Sequence, residues 1–202
     1  MASTASQLPH VYATPFSSTP KTRDSMVDPN LNHRPALGTK HAVSSATLKL
    51  SPLAEGTIIH VLVKSGKNDL VPLPSSLADA DTLAVRPVSP GQWFIVRERP
   101  MPHQEMKSLC AALEPHATGV DQSHGRVRIR IEGKMASRAL AKGTALDLEP
   151  SAFAVGQSAV TLIGHIAAHI TRVESDAFEI IVLRGFAESL WDDLIQMCRE
   201  FL

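Results

Sequence analysis

The sequence predicts an α+β fold of two similar halves that share a core, preceded by an extended N-terminal arm. Three observations carry this. Strand-like and helix-like segments recur in the same order in residues of about 46–120 and 121–202. The recurrences superpose at an offset of 85 residues, with Trp93 on Phe178, Ile95 on Ile180, Arg99 on Arg184 and Leu109 on Leu194. Residues 1–45 show neither a 3.6 nor a 2 period and are rich in Ser, Thr and Pro, so they form no core of their own.

In the arm the acids Asp24 and Asp28 are outnumbered by Lys21, Arg23, Arg34 and Lys40, a composition suited to lying in an acidic groove of a partner. The first residues lack acids, as transit peptides do, but their prolines break an amphipathic helix, and a cytoplasmic location is expected. TIIHVLVK (57–64) is dense in β-branched residues and ends at Ser65-Gly66, the pattern of a largely buried strand and a turn. DLVPLPSSLADAD is broken by proline and reads as a loop. TLAVRPV and WFIVRER flank Ser89-Pro90-Gly91-Gln92, which predicts a hairpin. HQEMKSLCAALE then places Met106, Leu109, Cys110 and Leu113 on one helical face, and Pro115 ends the helix.

The second half opens with RVRIRIEG, a period-2 strand in which Val127, Ile129 and Ile131 oppose Arg126, Arg128 and Arg130. KMASRALAKG follows as a helix with Met135, Ala136, Ala139 and Leu140 on one side and Gly143 as a stop. QSAVTLIGHIAAHITRV is strand-like throughout, Glu174-Ser175-Asp176 is a turn and FEIIVLR is a strand. AESLWDDLIQMCREFL closes the chain as a helix with Leu190, Trp191, Leu194, Ile195 and Cys198 inward.

At 202 residues, 44% hydrophobic and net charge zero, the chain has the material for a sizeable core and no global field toward nucleic acid or membrane. Its two cysteines, Cys110 and Cys198, fall on apolar helix faces and read as buried free thiols in a reducing compartment. No apolar run is long enough for a membrane-spanning helix. The histidines form no metal motif: in a continuous strand His165 and His169 lie about 13 Å apart. Asp192 and Asp193 are adjacent on a helix and diverge, and Asp121, Ser123 and His124 supply the residue types of a triad without its geometry. No HExxH, CxxC, GxSxG, GxGxxG or GxxxxGK[ST] motif occurs, so neither a nucleotide cradle nor a nucleophile elbow is expected.

DQSHGRVRIRIEGKMASRALAKGTALDLEP (121–150) and TLIGHIAAHITRVESDAFEIIVLRGFAESLWDDL (161–194) resemble the gamma subunit of heterotetrameric sarcosine oxidase, itself similar to the folate-binding domain of the glycine-cleavage T-protein. The specific pieces are Asp121-x-Ser123-His124-Gly125, the passage from Gly133 to Leu140, Lys142-Gly143 with Leu146-Asp147-Leu148, and Arg184-x-Phe186-Ala187-Glu188-x-Leu190-Trp191. The resemblance is close over 121–202, loose over 55–120 and slight before residue 45.

T-protein-like enzymes carry a Gly-Ile-x-Asp-Asp segment whose aspartate serves folate chemistry. The matching stretch here is Gly164-His165-Ile166-Ala167-Ala168-His169, without the acids, and alanine can neither steer a proton nor stabilise developing cationic charge. The resemblance therefore implies a structural subunit with no catalytic, cofactor-binding or metal-binding residue of its own. The complex it implies oxidatively demethylates sarcosine to glycine and passes the one-carbon unit to tetrahydrofolate. FAD, FMN, NAD and tetrahydrofolate would sit on other subunits, and the partners would be larger flavin-binding alpha and beta subunits and a small delta subunit. Arg126, Arg128, Arg130 and Trp191 are the expected partner contacts. The equivalent subunit of a related N-methyl amino acid dehydrogenase, or a free-standing folate-like binding module, would fit the same residues.

Overall fold

A computed structural model describes residues 34–64, 83–114 and 116–202. The first 33 residues of the expected arm, and the turn and loop expected between 65 and 82, lie outside the described residues. Ten strands and three α-helices are described, in the order β1 (Val43–Ser44), β2 (Lys49–Pro52), β3 (Thr57–Val63), β4 (Leu83–Ser89), β5 (Gln92–Arg97), α1 (His103–Leu113), β6 (Ala117–Asp121), β7 (Arg126–Glu132), α2 (Ala136–Leu140), β8 (Ser158–Ile163), β9 (Ile166–Glu174), β10 (Ala177–Leu183) and α3 (Ala187–Cys198).

Two antiparallel sheets result, ordered β4-β5-β3-β6 and β1-β2-β7-β10-β9-β8. Strand alternation gives each sheet a helix-covered face. Ile59, Val61 and Ile95 of the four-stranded sheet pack under Leu109 and Leu113 of α1. In the six-stranded sheet, Val127, Ile129, Ile131, Phe178 and Ile180 pack under Leu140 of α2 and Leu190, Trp191 and Leu194 of α3. The opposite faces meet each other, where Ile58, Phe94 and Val96 of the smaller sheet touch Ile181 of the larger. The chain is thus layered helix, sheet, sheet, helix, with three apolar clusters rather than one shared core.

The internal repeat is visible in this arrangement. β5 and α1 fall at the offset of β10 and α3, and β3-β5-β4 matches β7-β10-β9 in strand order. Three expectations change in detail. The single long strand over 157–173 is a hairpin: Ile163 pairs with Ile166 across Gly164-His165, and Gly164 takes a left-handed φ of 60° that a side chain would disfavour. β1, just before the first half, and β2, at its start, add to the second half's sheet, where Leu50 is opposite Ile131. Residues 34–45 also pack on the domain: Leu37 is buried in the larger core, the Ala36 N–H donates to Glu55, and Arg184 donates to the Arg34 carbonyl.

Candidate functional site: a basic layer between the sheets

β7 settles what its arginines face. Its apolar side chains point to the helices, so Arg126, Arg128 and Arg130 share the other face, and Arg126 and Arg128 meet the second sheet there. Arg128 is only 6% exposed; its Nη1 lies 3.5 Å from Glu179 Oε2 and its Nη2 3.5 Å from the Ala54 carbonyl. From β4, Arg86 reaches the other oxygen of Glu179, with Nε at 3.9 Å. Arg126 lies with its guanidinium carbon 4.7 Å from the centre of the Phe94 ring, a cation–π contact. Arg130, toward the far end of the strand, is tied within the chain to Glu132 at 2.7 Å and to Glu174 at 2.6 Å.

Phe94 is the hub of this layer. His60 and His169 flank its ring at centroid distances of 5.0 and 5.2 Å, the latter edge-on. His169 is 2% exposed and its Nε2 is 2.7 Å from the Pro87 carbonyl, so Nε2 carries the hydrogen and donates. Burial pushes the His169 imidazole pKa below its ordinary value, and Arg86 and Arg126 push the same way. Burial likewise lowers His60, with Arg126 contributing. The second ring nitrogen of His169 is then an acceptor, and it is buried without a hydrogen-bond partner among the described residues. The Nε atoms of Arg126 and Arg128 likewise lack a hydrogen-bond partner among the described residues, and Arg86 Nε and the Glu179 oxygen that it faces stand beyond hydrogen-bond distance.

Of the four expected partner contacts, two are corrected. Arg128 is enclosed between the sheets, and Trp191 is 3% exposed inside the α3 core, because its indole belongs to the stripe of Leu190 and Leu194 that the larger sheet must cover. Arg126 is half-buried at the layer's edge, opposite the 44% exposed Leu183 on β10, with the 52% exposed Phe186 three residues beyond it. Arg130 is half-buried and already paired.

Sequence reasoning did not find Glu179, His169, Arg86 or Phe94. Their one available signal was a lone acid and a lone histidine inside the apolar runs FEIIVLR and IAAHITRV, since an unpaired charge is rarely placed in a buried strand.

The other candidates have structural roles. The Ser123 hydroxyl donates to Asp121 at 2.6 Å and accepts from the Ile58 N–H, which knits a turn and presents no activated nucleophile. Cys198 is buried and its thiol is pushed up to about 11 by burial; Cys110 is raised by burial and then by Asp121, so neither is poised as a thiolate. No cluster of three or more metal-ligating side chains occurs among the described residues, and no described helix is long and apolar enough to cross a membrane.

With the fold and this layer in place, comparisons with known proteins become informative. A profile of the sarcosine oxidase, gamma subunit family matches residues 66–200. A chain of heterotetrameric sarcosine oxidase from Corynebacterium sp. U-96, solved in complex with pyrrole 2-carboxylate, is similar in structure with a TM-score of 0.73 at 20% identity, over 84% of this chain and 96% of that one. The glycine cleavage system aminomethyltransferase T from Bartonella henselae is also similar, with a TM-score of 0.55 at 16% identity. That likeness takes in 75% of this chain but 46% of the other, so this chain spans about half of that protein. At these identities the two structures speak for the fold. Among curated protein sequences, none matches.

Proposed function

Since the chain belongs to the sarcosine oxidase gamma-subunit family, we propose that it is a small structural subunit of a heterotetrameric sarcosine oxidase in the cytoplasm, joined to larger flavin-binding alpha and beta subunits and a small delta subunit. In this reading FAD, FMN, NAD and tetrahydrofolate are carried by those subunits, and this chain contributes packing and position. The observation that supports it is the family match over residues 66–200, taken with Ala167 and Ala168 where the T-protein pattern has its acids.

Partner contact is assigned to the edge where Arg126 meets Leu183 and Phe186. Large exposed apolar side chains beside an arginine have the composition of interface centres. Arg130 is a weaker contact, since any partner carboxylate would compete with Glu132 and Glu174.

Co-expression with the larger subunits and size-exclusion chromatography test the proposal. The chain should co-elute with yellow flavoprotein and, expressed alone, should carry no flavin absorbance. Phe186→Ser should cut co-elution at least tenfold while circular dichroism of the isolated chain stays unchanged. A chain that elutes apart from the flavoprotein, or that retains flavin alone, would overturn the reading.

A further inference from the structure

Among the described residues, the layer between the sheets carries more positive charge than it neutralises. Arg86 and Arg128 face Glu179 there, and Arg126 lies over the Phe94 ring. Glu179 is itself held loosely. Its two oxygens are 3.5 and 3.9 Å from the nearest guanidinium nitrogens, whereas a charge-assisted N–H···O contact closes to about 2.8 Å. Arg126 has Phe94 beneath it and no acid acting on it among the described residues, and burial pushes its pKa down. Guanidinium Nε groups buried without acceptors are costly, and those of Arg126 and Arg128 find no acceptor among the described residues, while Arg86 Nε faces the unmet Glu179 oxygen at 3.9 Å.

We infer that this layer is an anion site, taking one small planar oxyanion of the size of formate or bicarbonate at the edge between Arg126, Phe94 and Leu183. An arginine presents its Nε–H and a neighbouring Nη–H as a parallel pair, which matches the two oxygens of a carboxylate and suits a spherical halide less well. Size is limited because stacked sheets stand about 10 Å apart and Phe94, Ile58, Val96 and Ile181 already occupy the interior. Entry is from the rim, where Arg126 is half-buried and Leu183, directly opposite it, is exposed. The inference concerns this chain's own residues and holds whether or not the chain assembles as proposed above.

The test titrates the full chain with sodium formate while following its thermal midpoint, with sodium chloride at equal ionic strength as reference. A saturable rise beyond that given by chloride is expected. In Arg126→Gln the apparent affinity for formate should fall at least tenfold, and in Arg130→Gln, whose side chain is engaged by Glu132 and Glu174, it should be unchanged. Formate that behaves like chloride, or an Arg126→Gln chain that responds as the wild type does, overturns the inference. Should Arg126→Gln fail to fold, the line width of carbon-13 formate with the unaltered chain decides: saturable broadening relieved by unlabelled formate supports the site, and its absence sinks it. Repeating the titration on the co-expressed complex separates two sources of the same chemistry. A response kept in the complex assigns the site to a free anion, and a response present in the isolated chain but lost on assembly assigns it to a partner's carboxylate.

Discussion

Glu179→Gln removes the carboxylate that Arg128 and Arg86 face and keeps the side-chain shape. At 3.5 and 3.9 Å, and with an effective dielectric of about 20, each contact has a gross attraction of about 4 to 5 kcal/mol. Most of that is offset by the cost of taking the charges out of water, so the gross figure overstates the loss. Breaking one side of a buried pair costs about 3 to 5 kcal/mol, since the surviving charge stays buried. The long contacts here put the expected loss at the lower end, about 3 kcal/mol. With a urea m-value of about 2 kcal/mol/M for a domain of this size, the unfolding midpoint should drop by about 1.5 M. Circular dichroism in urea reads it directly. Glu179→Gln combined with Arg128→Met should recover a large part of the drop, because a buried pair replaced by apolar groups of similar volume is often close to neutral. A single variant whose midpoint falls by less than about 0.3 M, outside the scatter of such measurements, would show that Glu179 does not balance these arginines.

Two further outcomes follow from the same geometry. Gly133 has a φ of 114°, and a Cβ there would come within 2.4 Å of the Thr47 carbonyl oxygen, so Gly133→Ala should lower the urea midpoint by about 1 M or more as β2 and β7 are forced apart; an unchanged midpoint would refute the clash. His169 and His60 have folded-state pKa values below the ordinary value of about 6.5, so on acidification the unfolded chain binds protons first. Their contribution to stability is complete above about pH 6.5 and is lost as the pH falls toward the folded-state values; urea midpoints at pH 7.5 and 5.5 should therefore differ more in the wild type than in His169→Gln, and equal differences would remove His169 from the account.

Much of the architecture was legible because it rests on helix-facing positions. The 3.6-residue spacing of Leu190, Leu194 and Cys198, and the alternation of Val127, Ile129 and Ile131, each encode one buried face, and that face is where the structure puts them. The hairpin at Gly164-His165 was not legible, since two residues inside an unbroken β-branched run carry none of the polar clustering that usually marks a turn. β1 and β2 were hidden by their brevity and by a Ser/Thr/Pro-rich neighbourhood. The basic face of β7 was misjudged for a deeper reason. Alternation shows that one face differs from the other, and charge suggests solvent, but neither reports that a second sheet lies over the charged side. Arg128 is therefore a buried residue whose partner, Glu179, is 51 positions away in the chain, a relation that no local period contains.

The duplicated halves show where this second face departs from plain packing. Superposed on one another, they keep residue type toward the helices: Trp93 answers to Phe178, Ile95 to Ile180 and Ile59 to Ile129, all in apolar cores. Toward the other sheet they part. Val96 answers to Ile181, but Phe94 answers to Glu179 and Ile58 to Arg128, so at these two positions one half is apolar and the other charged, with Arg86 adding a charge from the first half. A layer kept only for stability gains nothing from that exchange, because charge in an apolar setting costs free energy unless fully paired. Among the described residues the pairing is incomplete, with Arg126 facing a ring and the Nε groups of Arg126 and Arg128 without a hydrogen-bond acceptor. The asymmetry between the halves and the loose pairing thus meet at Arg128 and Glu179, which makes the inter-sheet layer, rather than the exposed strands, the place where a negative group from outside the chain would act.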